Sequence, residues 1–319
     1  ANDQNTRILM LQAGDADSIA LSISYESLFA NDPDYSITKG LPTYDMTFAG
    51  FNMAIDTVAA ADFGSEVPED FFADKEIRLA FAHLVDYDTF IENVLKGNAI
   101  QPNGAIPKGM FGYDETIPTY EYSLETAKTH LQAAINPATG NSYWEDGFKI
   151  ALFYNSGNTY RETACNYLKA ALDELTDMAV GDTDAVFEGV VNTLDWPTYV
   201  NLRDAVPSPF PMYYLGWAPD YADPDDYVTP FLDSVYGTFT HSTGYVNASI
   251  DELARAAAVE LDDEVRAQMY SDLGMLVYED APYLWLWQGN NFHIERSWVN
   301  GYYFNPMYAG FYYSAFSKG

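Results

Sequence analysis

Three short apolar runs that alternate with two amphipathic segments constrain the fold of this chain most strongly. The runs cover 148–154, 185–194 and 210–216, and the segments between them, 159–175 and 196–206, have helical spacing. Strands that alternate with helices form a parallel or mixed sheet with the helices packed against it. The sequence therefore predicts an α/β fold in which a mixed sheet is flanked by helices.

The segments on either side extend this pattern. Asp74, Asp86 and Ser123 each precede a segment with helical spacing and have the side chain of an N-cap. Helices are predicted over 18–29, 75–85, 87–96, 124–134, 226–232, 250–260 and 263–279. The other predictions are strands over 46–53 and 282–288, extended chain over 289–296, a turn-rich connection over 33–42 and a long loop over 98–122.

The charge of the chain excludes two classes of partner. Asp and Glu number 47 against 15 Lys and Arg, which gives a formal net charge of −32. Nucleic acids and anionic membrane surfaces attract basic patches, so we expect neither to bind. An acidic surface favours cationic partners, keeps an exported protein soluble, or reflects a saline habitat. No apolar run is long enough for a transmembrane helix, and the polar residues 1–6 are not a signal peptide.

Sequence patterns typical of catalytic and metal sites are absent, or cannot be assigned to particular residues. Cys165 is the only cysteine, which excludes an internal disulfide and a cysteine-based zinc site. The four histidines, His83, His130, His241 and His293, lack ligand spacing, and no nucleophile-elbow, zinc-peptidase or phosphate-loop motif occurs. The acid–base pair of a glycoside hydrolase cannot be chosen among 47 acidic residues. We therefore expect no enzymatic activity, no cofactor and no metal.

The stretch 216–227 follows the third predicted strand and brings a tryptophan and several carboxylates to a strand end. Binding groups of α/β proteins gather at such ends, although Asp and Pro are also ordinary turn and cap residues. The acidic run in this stretch lacks the mid-loop Gly and the later Glu of an EF-hand, so we do not expect calcium. Aromatic residues make up 16% of the chain, and their rings suit the binding of peptides or sugars.

Six segments resemble, in the same order, sequence landmarks of a known family. They cover 13–17, 48–52, 72–88, 97–113, 216–224 and 298–302, so the similarity extends over nearly all of the chain. Each motif alone is weak, but their common order is specific. On these motifs the chain resembles the C-terminal part of the substrate-binding proteins of the peptide/nickel type, family 5, that serve ABC transporters.

The resemblance implies a periplasmic-binding-protein-like fold with two lobes around a buried cleft. Residues 1–72 would form part of the first lobe, 73–287 the second lobe, and 288–319 would return to the first. The resemblance also implies a non-catalytic protein, extracellular, at the cell surface or periplasmic, that delivers an oligopeptide or dipeptide to an ABC permease.

Relatives of this type carry more chain before the first landmark. We therefore expect that an N-terminal region is missing, which would complete the cleft and anchor the protein near the membrane without spanning it. On this expectation, the chain alone binds ligand weakly or not at all.

The resemblance assigns ligand binding to Trp217, Asp220 and Tyr221. In peptide-binding relatives the acidic residue after Gly-Trp holds the α-amino group of the ligand, and this role falls on Asp220. A buried ammonium group needs such a carboxylate. The other three acidic residues of this stretch, Asp223, Asp225 and Asp226, are expected to be turn and cap residues.

Two alternatives stay open. The same motif occurs in relatives that take nickel or oligosaccharides, so an oligosaccharide stacked on Trp and Tyr rings is the alternative ligand. An acidic cell-envelope protein that reuses the fold structurally is the alternative function.

Overall fold

The structure, a computed structural model, describes residues 3–307 and 311–319. Its helices are α1 (Gln4–Ala13), α2 (Thr57–Ala61), α3 (Lys75–Ala82), α4 (Tyr87–Asn93), α5 (Leu124–Ala133), α6 (Tyr143–Asp146), α7 (Thr159–Ala179), α8 (Trp196–Arg203), α9 (Asp225–Leu232), α10 (Thr238–Thr243), α11 (Ala248–Val259) and α12 (Asp263–Asp280). Its strands are β1 (Ser18–Ile19), β2 (Tyr35–Phe51), β3 (Ala99–Ile100), β4 (Phe148–Asn155), β5 (Phe187–Leu194), β6 (Met212–Trp217), β7 (Tyr283–Arg296), β8 (Val299–Asn300) and β9 (Ser317–Lys318). Within these ranges no helix is both long and apolar enough to cross a membrane.

One mixed sheet organises the chain, with strand order β1-β7-β2-β6-β4-β5 and with β3 also paired to β7. The strands β4, β5 and β6 are parallel neighbours, whereas β2 runs antiparallel to both β6 and β7. Helices pack on both faces of this sheet, so the predicted α/β fold with a mixed sheet is confirmed. The division into lobes at 72 and 287 stays a prediction, and its second boundary falls inside β7.

The two faces of the sheet bury two separate apolar clusters because successive side chains of a strand point to opposite faces. On β2, Ala49 points into the cluster formed with α3 to α7, and Phe48 into the cluster formed with α8 to α12. Phe48 is fully buried and meets the ring of Phe231 edge-on at 4.7 Å between centroids. Phe51, at the end of the strand, stacks on Phe72 at 4.4 Å.

The predicted helix starts are confirmed where a short polar side chain caps the first turn. Asp74, Asp86 and Ser123 each accept a hydrogen bond from a backbone N–H in the first turn of α3, α4 and α5. These bonds satisfy N–H groups that have no partner inside the helix. The three runs and two helices of the central β-α-β-α-β unit are also found, as β4, α7, β5, α8 and β6.

Two predictions near the N-terminus are wrong. The stretch 18–29 is not an α-helix but the short β1 followed by a 3₁₀ helix over Ile23–Leu28, and of the predicted connection 33–42 all but the first two residues belong to the first half of β2. Both pair with β7, more than two hundred residues later, and local spacing carries no signal of such a partner. Register shifts around Gly40 and Pro42 explain why turn residues occur inside β2.

A buried ion pair joins the end of α12 to the start of α3. The Arg78 guanidinium donates to the Asp280 carboxylate at 2.6 Å, to the Asp280 carbonyl, and to the carbonyls of Phe72 and Ala73. Tyr245 and Asn247 donate to the second Asp280 oxygen. Arg78 is 4% exposed, so these partners replace the water that the charge has lost.

We expect Arg78→Met to lower the free energy of unfolding by about 3 kcal/mol, because it leaves one oxygen of the Asp280 carboxylate and three backbone carbonyls without their donor. Chemical denaturation measures the change. Lys169→Met is the control, because it removes an exposed partner of Asp173 and should change stability by less than about 0.5 kcal/mol. Equal effects of the two substitutions would contradict the assignment of Arg78 as a buried clamp.

The acid stability of the protein should depend on Asp280. Burial alone would raise the pKa of this carboxyl, but the Tyr245 hydroxyl and the Arg78 guanidinium outweigh burial and hold the pKa below its ordinary value. A depressed pKa in the folded state contributes stability above about pH 5, and that contribution is lost as the pH falls below about 4. The stability difference between the wild type and Asp280→Asn should therefore be largest near neutral pH and shrink in acid. A difference that stays constant or grows in acid would contradict this.

Candidate functional site

The carboxyl ends of the three parallel strands meet at one edge of the sheet. There β4 ends at Asn155, β5 at Leu194 and β6 at Trp217. Met212 to Leu215 of β6 are buried, and the chain emerges from the core at Gly216 and Trp217. The loop after β6 therefore begins at the edge where α/β proteins place their ligands.

Trp217 forms a fixed wall at this edge. Its indole Nε1 donates a hydrogen bond to the backbone carbonyl of Asp226 at 2.8 Å. Its ring meets Phe239 and Phe231 edge-on, with centroids 5.4 and 6.1 Å apart. The side chain is partly exposed and held on one side, so its remaining surface can contact a ligand.

Three carboxylates of the acidic run are engaged within the protein. Asp223 accepts two hydrogen bonds from Arg266, at 2.6 and 3.0 Å. Asp225 accepts from the hydroxyls of Tyr221 and Thr229, and the buried Asp226 accepts from the Asp220 N–H at 2.6 Å. Burial raises the pKa of Asp226. These contacts shape the turn and the start of α9.

The Asp220 carboxylate differs from the other three. It is exposed, and in the described part of the chain it receives no hydrogen bond and forms no ion pair. Its backbone, in contrast, is held by Asp226. A fixed backbone with an unpaired carboxylate is suited to a cationic group from outside the protein.

Tyr221 lies beside Asp220 and is 48% exposed. Its hydroxyl donates to Asp225 at 2.9 Å, so the direction of the ring is set within the loop. Desolvation, followed by the neighbouring carboxylates, raises the pKa of Tyr221, and the hydroxyl therefore stays a donor. The structure thus places Trp217 at the end of β6 and Asp220 and Tyr221 in the loop that follows, and leaves part of each accessible.

Arg161, in the first turn of α7, belongs to the same edge and was missed by the sequence analysis. One guanidinium nitrogen donates to Asn155 at 2.6 Å, and another lies 2.7 Å from the place where a Cβ on Gly216 would be. A side chain at 216 would displace the guanidinium from this position. Helical spacing marks Arg161 as an ordinary surface position, so the sequence gives no signal for its placement.

The charge of Arg161 is not neutralised by a neighbour. Among the described residues no carboxylate lies within ion-pair distance of it, and its Nε is buried without a hydrogen-bond acceptor. Burial lowers the pKa of Arg161, but an arginine stays protonated at neutral pH. An unpaired guanidinium therefore lies beside Gly216 at the end of β6, and the unpaired carboxylate of Asp220 belongs to the loop that follows the strand.

The described residues contain no group of three or more His, Cys, Asp or Glu side chains placed to hold a metal ion. In the acidic run, the Asp223 carboxylate accepts hydrogen bonds from Arg266, and the Asp226 carboxylate accepts them from backbone N–H groups. The edge thus offers one positive group, one negative group and aromatic surface, which is a set suited to binding a small zwitterionic molecule.

Comparison with known proteins finds a family that matches most of the chain. A sequence profile described as "Bacterial extracellular solute-binding proteins, family 5 Middle" matches residues 1–239. The probable D,D-dipeptide-binding periplasmic protein DdpA of Escherichia coli K12 is 26% identical over 234 residues, which are 73% of this chain and 41% of that protein. Heme-binding protein A of Haemophilus influenzae is 25% identical over 312 residues, 97% of this chain and 51% of that protein.

A solved structure has the same fold over the whole length of this chain. The oligopeptide-binding protein AppA of Bacillus subtilis, in complex with a nonapeptide, superimposes with a TM-score of 0.78 at 20% identity. The match covers 100% of this chain and 59% of AppA. The periplasmic-binding-protein-like fold is therefore confirmed, and the chain spans about half the length of the curated relatives it matches.

Proposed function

Because the chain belongs to family 5 of the bacterial extracellular solute-binding proteins, we propose that it binds a short peptide with free ends and delivers it to an ABC permease. The observation that carries this proposal is a pair of unpaired charges near the end of β6, the Asp220 carboxylate in the loop after the strand and the Arg161 guanidinium beside Gly216. Relatives whose names state a dipeptide or oligopeptide ligand support the same substrate class.

The two ends of a peptide match these two groups in charge and in the hydrogen bonds that each can donate or accept. An α-ammonium group donates to a carboxylate, and Asp220 is the carboxylate of the loop that has no internal donor. A terminal carboxylate accepts from a guanidinium, whose donors suit two parallel hydrogen bonds, and Arg161 retains donor capacity. Trp217 and Tyr221 would contact the side chains or the backbone of the peptide.

The proposal includes a place and a mode of action. The protein acts outside the cytoplasm, near the membrane and anchored to it without spanning it, and it releases its ligand unchanged. Residues 73–287 form one wall of the cleft, and 1–72 with 288–319 contribute part of the facing lobe. Conversion of a peptide or a glycoside during incubation with the protein would contradict the absence of catalysis.

Blocking each end of the ligand tests the two charges separately. We expect the full-length natural protein to prefer a free short peptide over its N-acetylated form and over its C-amidated form by about tenfold to a hundredfold each, because each charged contact contributes about 1.5–3 kcal/mol. Asp220→Asn should abolish only the preference at the amino end, and Arg161→Gln only the preference at the carboxyl end. Calorimetric titration measures the Kd values.

Two matched controls lie on the exposed face of α7. Asp173→Asn and Lys169→Gln make the same charge changes in a surface pair away from the strand ends, and both preferences should survive them. A wild-type protein that binds blocked and free peptides equally would contradict the proposal.

An oligosaccharide is the second candidate ligand, favoured by the exposed ring of Tyr221 in the loop that follows Trp217. Binding of oligosaccharides together with indifference to both peptide ends would support it. In that case Tyr221→Ala should weaken binding more than Asp220→Asn does, because a sugar stacks on the ring rather than pairing with the charge.

A further inference from the structure

Arg266, on α12, is the basic residue that holds the ligand-binding loop. Two of its guanidinium nitrogens donate to the two oxygens of Asp223, at 2.6 and 3.0 Å. Among the described residues no other basic side chain lies within ion-pair distance of the acidic run. Burial alone would raise the pKa of Asp223, but the hydrogen bonds from Arg266 outweigh it and lower that pKa.

The remaining contacts of Arg266 fix the guanidinium itself. Its Nε donates to the carbonyl of Ala257 on α11 at 2.9 Å, and one terminal nitrogen also donates to the Tyr270 hydroxyl at 3.0 Å. The group lies over the rings of Tyr270 and Phe111, 5.3 and 5.4 Å from their centroids. A guanidinium held by two helices and two rings sets the position of Asp223 instead of following it.

A short chain of hydrogen bonds connects Asp223 to Asp220. The Asp225 N–H donates to the Asp223 carboxylate at 2.9 Å, and the Asp226 N–H donates to the Asp223 carbonyl at 3.1 Å. Asp226 in turn accepts from the Asp220 N–H at 2.6 Å. Displacement of Asp223 therefore displaces the residue that holds the backbone of Asp220.

Like charges make this support necessary. Four carboxylates lie within seven residues, at 220, 223, 225 and 226, and they repel one another. The cation of Arg266 offsets part of that repulsion at Asp223. Without it, we expect the loop to relax by moving its carboxylates apart, which would shift Asp220 from the position that Asp226 holds.

We propose that Arg266 is a positioning residue for the recognition of the ligand's amino end. This inference rests on the proposed function, since it concerns the carboxylate assigned to the ammonium group. Arg266 acts through Asp223 and Asp226 and does not itself contact the ligand. Its removal should impair the amino end selectively and leave the contact of Arg161 with the carboxyl end intact.

The test compares end preferences, which a merely structural role would not change selectively. Kd values are measured with the full-length natural protein for a free dipeptide, its N-acetylated form and its C-amidated form. We expect Arg266→Gln to reduce the preference for a free amino end by about fivefold and to leave the preference for a free carboxyl end unchanged. Arg266→Lys should give an intermediate value, because lysine cannot make the paired hydrogen bonds.

Arg255→Gln is the matched control. Arg255 pairs with Asp233 through two hydrogen bonds of 2.6 and 2.8 Å on the neighbouring α11 and lies over the ring of Tyr236, but it does not touch the loop. Both end preferences should survive this substitution. If Arg266→Gln does not fold, Asp223→Asn removes the same pair from the loop side and should give the same selective loss.

The outcomes separate this inference from the proposed function. If Arg266→Gln weakens the preferences at both ends equally, the role of Arg266 is overturned and the proposed function stands. The same holds if Arg266→Gln leaves the amino-end preference unchanged while Asp220→Asn abolishes it. A wild-type protein without an amino-end preference overturns both. A double variant, Asp223→Asn with Arg266→Gln, that is no worse than either single variant supports the coupling of the two residues.

Discussion

The structure depends on the pairing of β2 with two partners at once. One edge of β2 pairs with β7 from Tyr35 to Gly50, and its other edge pairs with β6 from Met46 to Phe51. These partners are far away in the sequence, so the strand joins three distant parts of the chain. The parallel unit of β4, β5 and β6 is thereby fixed against the antiparallel strands, and Trp217 is placed opposite Met46.

The candidate site follows from what the fold leaves unpaired. In a chain with a net charge of −32, most of the described basic side chains are paired with acids, as Arg78, Arg255 and Arg266 show. Arg161 has no such partner, and Asp220 is the carboxylate of its run without a donor. Both lie at the carboxyl end of β6, where a ligand can replace the water around them.

The sequence predicts what is local and misses what is distant. The helix caps at Asp74 and Asp86 and the central β-α-β-α-β unit depend on neighbouring residues, and they were predicted correctly. The first half of β2 depends on β7, so its Pro and Gly residues predicted turns instead. The fold class was accessible because alternating strands and helices admit few arrangements.

For the candidate site too, the sequence predicts the residues that are close together in the chain and misses the distant ones. Trp217, Asp220 and Tyr221 stand close together in one motif, and resemblance to a family was enough to name them, although their roles stay a prediction. Arg161 is 56 to 60 residues away and reaches Gly216, the residue before Trp217, only because β4 and β6 are parallel neighbours. Arg266 is equally invisible, because its bond to Asp223 joins a helix to a loop 43 residues earlier.

A crystal structure of the protein with a bound dipeptide tests the central claim most directly. The account predicts the ammonium nitrogen of the dipeptide about 3 Å from an Asp220 oxygen and the terminal carboxylate in contact with the Arg161 guanidinium. A dipeptide bound elsewhere, or bound at this edge with neither charge met by these two residues, would contradict it.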